Sequence, residues 1–187
     1  MNTIAILDWM WGAFGVYWLV RAWGTGNSLT HEQPLWRLSR LLILALTFIL
    51  LLSPWLRIGL LAERFVPDAR ITQAMGLILT AAGILLAVWA RWHLGKFWSD
   101  KIVLKVDHRL IRSGPYAHLR HPIYSGVLLG IAGTALAIGE WRGLLALAVL
   151  GTNYFMKARQ EERILAAQFG ETFAEYRRHA GFVLPRW

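Results

Sequence analysis

The sequence predicts an all-α integral membrane protein with about five transmembrane helices. Hydrophobic residues make up 56% of the 187 residues, against the roughly 45–50% that is usual in soluble domains. They fall in long runs, and about 20 apolar residues are enough to cross the hydrocarbon core of a bilayer. The 11 Trp residues point the same way, because Trp is enriched at membrane–water interfaces.

Five apolar runs are the candidate spans. They are residues 4–23, 41–61, 71–92, 123–138 and 143–156. The first lacks the basic start and the small-residue cleavage site of a signal peptide, so we expect a helix of the mature protein. The last two are short for a full crossing. Because four residues separate them, they are expected to form a tight helical hairpin.

Local signals refine these elements. Ser53-Pro54 is expected to kink the second span, because Pro removes a backbone donor. Gly76 and Gly83 in the third span are expected points of close helix contact. Residues 24–40 are predicted to form a polar loop, residues 101–106 a short extended segment, and Ser113-Gly114-Pro115 a turn. The tail after residue 156 is predicted to be an amphipathic helix that Gly170 interrupts.

The charge distribution predicts an orientation. Of the 20 Lys and Arg residues, 16 fall in residues 21–40, 91–120 and 157–186. Five spans place these three segments on one side, which the positive-inside rule makes the cytoplasm. The N-terminus would then be outside and the C-terminus cytoplasmic. The net charge of +9 is explained by orientation and lipid headgroups, so we expect membrane lipid as a partner and no nucleic acid.

Length favours one domain, and the absence of Cys excludes disulfides, thiolate metal sites and cysteine nucleophiles. Two polar clusters are candidates for a site: residues 114–126 (GPYAHLRHPIYSG) and residues 157–162 (KARQEE). The intervening hairpin is expected to bring them together at its cytoplasmic end. Together they offer cations, hydrogen-bonding rings and carboxylates, which suit a zwitterionic ligand that carries a ribose.

Simpler interpretations of the same residues stay open. Arg120 and His121 could anchor the chain at lipid headgroups, and the Tyr residues could be interfacial aromatics. Glu161 and Glu162 could form a solvated helix face paired with Lys157 or Arg163. The irregular spacing of the His residues makes a zinc site a minor alternative, and we expect no metal.

Beyond these patterns, the chain from about residue 101 onwards resembles the isoprenylcysteine carboxyl methyltransferase family and the related phospholipid methyltransferases. The resemblance is carried by LIRSGPYAHLRHPIYSG at residues 110–126, followed after the hairpin by EERILAAQFGETFAEY at residues 161–176. Together with the first three apolar runs, which match the family only in general hydrophobicity, it divides the single domain into a three-helix transmembrane part over residues 1–92 and a methyltransferase core over residues 93–187. It also implies S-adenosyl-L-methionine as the methyl donor, S-adenosyl-L-homocysteine as the product, and a lipophilic methyl acceptor.

The resemblance further implies a set of site residues. The cofactor-binding residues would be His108, Arg109, Leu110, Ile111, Tyr116, Arg120, His121, Pro122, Ile123, Tyr124 and Glu161. Arg120 and His121 would hold the cofactor or the reacting carboxylate, and Lys157 would contact the acceptor at a position where eukaryotic members carry Arg. Lys cannot reproduce a bidentate Arg–carboxylate contact, so the acceptor is left open.

A carboxylate acceptor needs no general base, so catalysis would consist mainly of positioning and exclusion of water. An amine acceptor would need a base, for which His121 or Glu162 are candidates. Three alternatives remain at this stage. They are a phospholipid amine N-methyltransferase, a membrane reductase, for which the sequence offers no G-x-G-x-x-G motif, and a non-catalytic lipid-binding or scaffold protein.

Overall fold

The structure is a computed structural model that describes residues 2–22, 34–95 and 110–186. Five α-helices account for most of these residues: α1 (Thr3–Ala22), α2 (Pro34–Leu52), α3 (Arg70–Leu94), α4 (Pro122–Ile138) and α5 (Trp141–His179). Short 3-10 helices lie at Pro54–Leu56, Gly59–Ala62 and Gly114–Ala117. The all-α class is therefore confirmed over the described ranges, whereas the predicted extended segment at residues 101–106 lies outside them.

Two helices are long and apolar enough to cross a bilayer, over Thr3–Arg21 and Arg70–Leu94. Two shorter apolar helical segments cover Leu38–Leu52 and Pro122–Ile138. Large apolar side chains project outward from the long helices, including Trp9, Leu19, Ile71 and Leu85. An apolar exterior of this kind is typical of a surface that contacts lipid or another protein. The number of crossings and the orientation stay predictions.

Helices α3 and α4 are in close backbone contact through glycines. A Cβ atom added to Gly76 would lie 2.4 Å from the amide nitrogen of Ala137, and one added to Gly83 would lie 2.3 Å from that of Gly130. Real Cβ atoms do not approach backbone so closely, so only Gly permits this separation. The predicted helix contacts at Gly76 and Gly83 are confirmed.

Helix α2 differs from the prediction at both ends. It begins at Pro34, within the predicted polar loop, because Pro is favoured in the first helical turn, where no backbone donor is needed. It ends at Leu52, so the predicted second span to residue 61 with a kink is wrong. Pro54 begins a separate 3-10 helix, with Ser53 as its N-cap.

The end of α2 is held by a charged cluster in which Arg142 and Glu140 are buried and Arg57 is exposed. The Arg142 guanidinium donates to the carbonyls of Leu50 and Ser53, at 3.1 and 2.7 Å. Its Nε donates to Glu140 at 2.6 Å, and Arg57 pairs with the second oxygen of the same carboxylate at 2.7 Å. Arg142 thereby satisfies carbonyls that the last turn of a helix leaves without an intrahelical partner.

Two residues separate helix α5 from α4, and α5 runs for 39 residues. The predicted fifth span and the predicted amphipathic tail therefore belong to one helix. The helix is broken at Gly170, where the backbone has φ 50° and ψ −124°, so the predicted interruption is confirmed. Because α5 continues past its apolar part, it carries the polar residues 157–162 back towards the start of α4.

Candidate functional site

The candidate site lies at the start of α4, and the turn before α4 bounds it on one side. The predicted turn at Ser113-Gly114-Pro115 is present, and Gly114 has φ +59°, a conformation that favours Gly. A Cβ atom on Gly114 would lie 2.7 Å from the imidazole of His93, and His93 Nε2 lies 2.9 Å from Ser113 Oγ. The end of α3 thus fixes the turn that leads to Arg120 and His121.

A second wall comes from the chain after α5, which returns to lie beside residues 118–121. Arg120 N donates to Gly181 O at 2.8 Å, and His121 N donates to Phe182 O at 3.2 Å. Gly181 N donates to His118 O at 3.0 Å. These bonds place the C-terminal segment, residues 181–183, against the start of α4.

Tyr176 strengthens this junction. Its hydroxyl is buried and donates to the carbonyl of Tyr116 at 2.6 Å and to that of Leu119 at 3.3 Å. Burial raises the pKa of the Tyr176 hydroxyl, so the group keeps its proton and acts as a donor. The last part of α5 is therefore tied to the turn by a side chain as well as by the main chain.

Arg120 forms the central ion pair of the site. Its Nε lies 2.6 Å from Glu162 Oε1, and the two side chains are 11% and 6% exposed. Its Nη1 donates to the carbonyls of Ala180 and Arg177. Arg120 therefore joins the start of α4 to both the middle and the end of α5.

His121 lies between the two adjacent carboxylates of α5. Its Nδ1 is 3.5 Å from Glu161 Oε2, and its Nε2 is 3.5 Å from Glu162 Oε1. The ring is buried and stacks on Tyr124, with centroids 5.5 Å apart and planes inclined by 6°. Within the described residues, Nε2 has no partner with hydrogen-bond geometry.

Glu161 is the more accessible of the two carboxylates. Its side chain is 25% exposed, against 6% for Glu162. Tyr124 donates its hydroxyl to Glu161 Oε1 at 2.6 Å, and Lys157 Nζ lies 4.0 Å from the same oxygen. The Lys157 ammonium also lies 5.5 Å from the centre of the Tyr124 ring. The predicted shared helix face of Lys157 and Glu161 is therefore present.

The electrostatics of the site favour charged forms. His121, Glu161 and Glu162 lie outside the apolar segments. Burial opposes the charge on each of them, but their mutual contacts outweigh it. The two carboxylates raise the pKa of His121. The His121 ring, with Lys157 for Glu161 and Arg120 for Glu162, lowers the pKa of both carboxyl groups. The contacts among the three groups thus favour a charged imidazole between two charged carboxylates.

The remaining predicted residues are placed as follows. His108 and Arg109 lie outside the described residues. Leu110 packs against the cluster of Phe173, Tyr176 and Ala180. Ile111 and Ile123 are half-buried, whereas Tyr116 and Pro122 are buried. The structure thus brings Arg120, His121, Tyr124, Lys157 and Glu161 together, and places Tyr116 in the adjoining turn.

Tyr176 and Phe182 were not among the predicted site residues, and Glu162 was named only as a candidate base and not as the partner of Arg120. Glu162 binds Arg120, Tyr176 ties the turn, and Phe182 packs edge-on against His121, with ring centroids 5.1 Å apart. The pairing of Glu162 with Arg120 could have been predicted by matching the opposite charges of the two polar motifs. No local pattern shows that Phe182 returns to the site.

Metal binding has no support in the described part of the chain. It contains no group of three or more His, Cys, Asp or Glu residues placed to hold a metal ion. Instead, His121 and the two carboxylates are bound to one another and to Arg120, Lys157 and Tyr124. The cluster therefore consists of paired side chains, with one accessible carboxylate and one buried ring nitrogen that could contact a ligand.

Comparisons with known proteins give the chain a family. The profile of the phospholipid methyltransferase family matches residues 71–172. The protein-S-isoprenylcysteine O-methyltransferase of Schizosaccharomyces pombe is 28% identical over 117 residues, which are 61% of this chain and 49% of that protein. The cobalt-zinc-cadmium resistance protein CzcN of Cupriavidus metallidurans is 35% identical over 113 residues, 59% of this chain and 49% of that protein.

These matches reach only part of each relative, since the chain spans about half the length of these two curated relatives. A similar fold is found in the solved structure of the eukaryotic intramembrane Ras methyltransferase ICMT (isoprenylcysteine carboxyl methyltransferase). That likeness has a TM-score of 0.60 at 18% identity and covers 96% of this chain and 67% of the other. Because the family profile covers more than half of its residues, the chain belongs to the phospholipid methyltransferase family and is related to the isoprenylcysteine O-methyltransferases.

Proposed function

We propose that this chain is an S-adenosylmethionine-dependent membrane methyltransferase that methylates the carboxylate of an isoprenylcysteine-like or other lipophilic acceptor. The observation that carries the proposal is the buried His121 ring between Glu161 and Glu162, held by residues of the family-matched region. A buried charged cluster whose pKa values are perturbed by specific partners is a functional-site candidate.

The side chains present fit a zwitterionic cofactor. The Glu161 carboxylate is accessible and can accept hydrogen bonds from an ammonium group or from ribose hydroxyls. The buried Nε2 of His121 has no partner with hydrogen-bond geometry in the described structure, and a buried polar atom of this kind requires one. The residues that would hold the cofactor are His121, Tyr124 and Glu161, with Tyr116, Pro122 and Ile123 beside them; residues 108–111 belong to the proposed set by sequence resemblance alone.

When bound, the cofactor would supply a methyl group on a positively charged sulfonium, and the neutral thioether S-adenosylhomocysteine would leave as the methyl group passes to the acceptor oxygen. The protein then needs to align the acceptor and exclude water. Lys157 would orient an anionic acceptor, because its ammonium lies 4.0 Å from Glu161, the more accessible of the two carboxylates. Arg120 would act as a positioning residue, since its Nε and Nη1 bind Glu162 and two carbonyls.

The protonation states favour a carboxylate acceptor. An amine acceptor must lose a proton to a base. The contacts that raise the pKa of His121 favour its protonated ring, which cannot accept a proton, and the lowered pKa of Glu162 makes it a weaker base than an ordinary carboxylate. A carboxylate is already anionic and needs neither group. Methylation of a phospholipid amine, to which the family description points, is the second candidate.

The chemical stability of the product distinguishes these candidates. Purified protein would be given S-adenosylmethionine with a labelled methyl group, together with farnesylcysteine analogues or phosphatidylethanolamine. A methyl ester releases its label in alkali, whereas a methylamine keeps it. We expect alkali-labile label on the lipophilic carboxylate, reduced at least tenfold by Glu161→Gln. Alkali-stable label on phosphatidylethanolamine would establish the second candidate, and no transfer by folded protein would favour a non-catalytic lipid-binding relative.

The location of the site follows from the same proposal. Residues 1–92 would form the transmembrane part and residues 93–187 the catalytic core of a multi-pass protein with a cytoplasmic C-terminus. A soluble cofactor would then enter from the cytoplasm, and a lipophilic acceptor would enter sideways from the membrane. Labelling of an introduced Arg178→Cys from either side of sealed vesicles of known orientation tests this topology. Labelling from the cytoplasmic face is expected, and labelling only from the opposite face would overturn it.

A further inference from the structure

Arg159 stands on the exposed face of α5, outside the cluster of His121 and the carboxylates. Its guanidinium carbon lies 5.0 Å from the centre of the Phe155 ring and 5.3 Å from that of Phe182. The two rings meet edge to face, with centroids 5.5 Å apart. Arg159 is therefore held by two aromatic faces, a contact that Arg makes readily because its planar group is weakly hydrated.

The rings orient the guanidinium without using its donors. Over the described ranges, Arg159 has no carboxylate within ion-pair distance and no hydrogen bond to the protein. Arg has five N–H donors in a fixed fork, and ring contacts consume none of them. The fork is thus available to an external acceptor. Because the side chain is already ordered, part of the entropic cost of binding has been met in folding.

The side chains around Arg159 indicate the depth in the membrane at which an external acceptor would lie. Phe155 and Met156, just before Arg159, are 48% and 52% exposed, and Leu184, two residues after Phe182, is 77% exposed. From Lys157 onwards the helix becomes charged. A cation immediately past an exposed apolar surface is at the level where a membrane presents phosphate groups.

We propose that Arg159, with Phe155 and Phe182, binds the phosphate of an anionic phospholipid. A phosphate diester offers two oxygens to the guanidinium fork, and the acyl chains would lie against Phe155, Met156 and Leu184. A zwitterionic phospholipid carries the same phosphate but adds a cation beside Arg159, so an anionic headgroup is favoured. The site goes beyond the proposed methyl transfer and does not depend on it.

The site also adjoins the candidate active site through one ring. Phe182 contacts Arg159 on the surface, and the Arg120 guanidinium carbon lies 5.6 Å from the centre of the same ring. A lipid bound at Arg159 would therefore stabilise the C-terminal segment that lies against His121.

The test uses the full chain in detergent, titrated with phosphatidylglycerol, phosphatidylcholine or inorganic phosphate, with bound lipid counted by native mass spectrometry. One Arg near a membrane surface contributes about a fivefold gain in affinity for anionic lipid. We therefore expect Arg159→Gln to weaken phosphatidylglycerol binding about fivefold or more. Arg178→Gln is the matched control, because Arg178 is on the same helix but pairs with Glu171 at 3.2 Å, and it should change binding less than twofold.

Two further variants distinguish specific binding at Arg159 from non-specific electrostatic attraction of anionic lipid. Arg159→Lys keeps the charge but loses the fork, and Phe155→Leu keeps the charge but loses a ring; both are expected to weaken binding at least threefold. Each variant is checked for folding by its thermal unfolding, which an exposed side chain should hardly alter. Wild-type binding by Arg159→Lys, equal losses in Arg159→Gln and Arg178→Gln, or equal affinity for phosphatidylcholine or inorganic phosphate would overturn the proposal.

Discussion

Glu161 and Glu162 are neighbours in sequence but should respond differently to neutralisation. Glu162→Gln removes the charge that faces Arg120 at 2.6 Å, in a pair whose side chains are 11% and 6% exposed. Removing one partner of a buried ion pair costs about 3–5 kcal/mol, because the other charge stays buried. Arg120 keeps its bonds to the carbonyls of Ala180 and Arg177, so we expect the lower end, about 3 kcal/mol.

Glu161→Gln is the matched comparison. Its carboxylate is 25% exposed and its cationic contacts are long, at 3.5 and 4.0 Å. The amide oxygen of Gln can still accept from Tyr124, so the expected loss is about 1 kcal/mol, the net contribution of an ordinary hydrogen bond. For a chain of this size, 1 kcal/mol corresponds to roughly 2–4 °C in melting temperature.

The assay is thermal unfolding of both variants in one detergent, beside binding of S-adenosylhomocysteine. We expect Glu162→Gln to melt about 6–12 °C below wild type and Glu161→Gln within about 4 °C of it. Cofactor binding should fall more in Glu161→Gln than in folded Glu162→Gln. Equal melting temperatures for the two variants, or full cofactor binding by Glu161→Gln, would refute the division of roles between the two carboxylates.

Three further predictions follow from contacts at other positions. Tyr176→Phe removes a buried donor to two carbonyls and should cost about 1–2 kcal/mol; an unchanged melting temperature would contradict this. Gly83→Ala would place a methyl group against the α4 backbone and should cost about 2 kcal/mol or more, whereas Gly12→Ala in α1, with open space around it, should be neutral or stabilising in the same melting assay. The cluster around His121 should make stability depend on pH in both directions. The raised pKa of His121 contributes stability that is fully present below about pH 6.5 and is lost as the pH rises through the pKa of the folded state. The lowered pKa values of Glu161 and Glu162 contribute stability that is fully present above about pH 4.3 and is lost as the pH falls through their folded-state values. Melting temperatures measured from below about pH 4.3 to above about pH 6.5 should show the loss of stability at high pH in wild type and not in His121→Gln.

The apolar runs were sufficient to locate the helices but not their ends. The predicted spans recovered most of α1, α3 and α4, because apolar composition alone marks them. Helix α2 starts seven residues before its predicted span, and α5 continues for many residues after its own. Polar helix formers extend both helices, and hydropathy does not report on them. Pro54 signalled a disturbance, but whether a helix bends or stops depends on partners such as Arg142, which is distant in sequence.

The candidate site shows the same limit. The two polar motifs predicted which segments of the chain meet, and Lys157 and Glu161 lie together because four residues make about one helical turn. The sequence did not show that Arg120 is bound by Glu162, nor that residues 181–183 return to its backbone. Those contacts join residues about 40 to 60 positions apart, and their register is set by packing of whole helices.

The proposed cofactor site at His121, Tyr124 and Glu161 is tested most directly by calorimetric titration of S-adenosylhomocysteine into the detergent-purified protein. The expected result is saturable binding by wild type and by the Arg178→Gln control. Binding should be lost in Glu161→Gln, with folding confirmed for each protein. Absence of binding to well-folded wild type across a range of detergents and lipids, or undiminished binding by Glu161→Gln, would contradict the proposal.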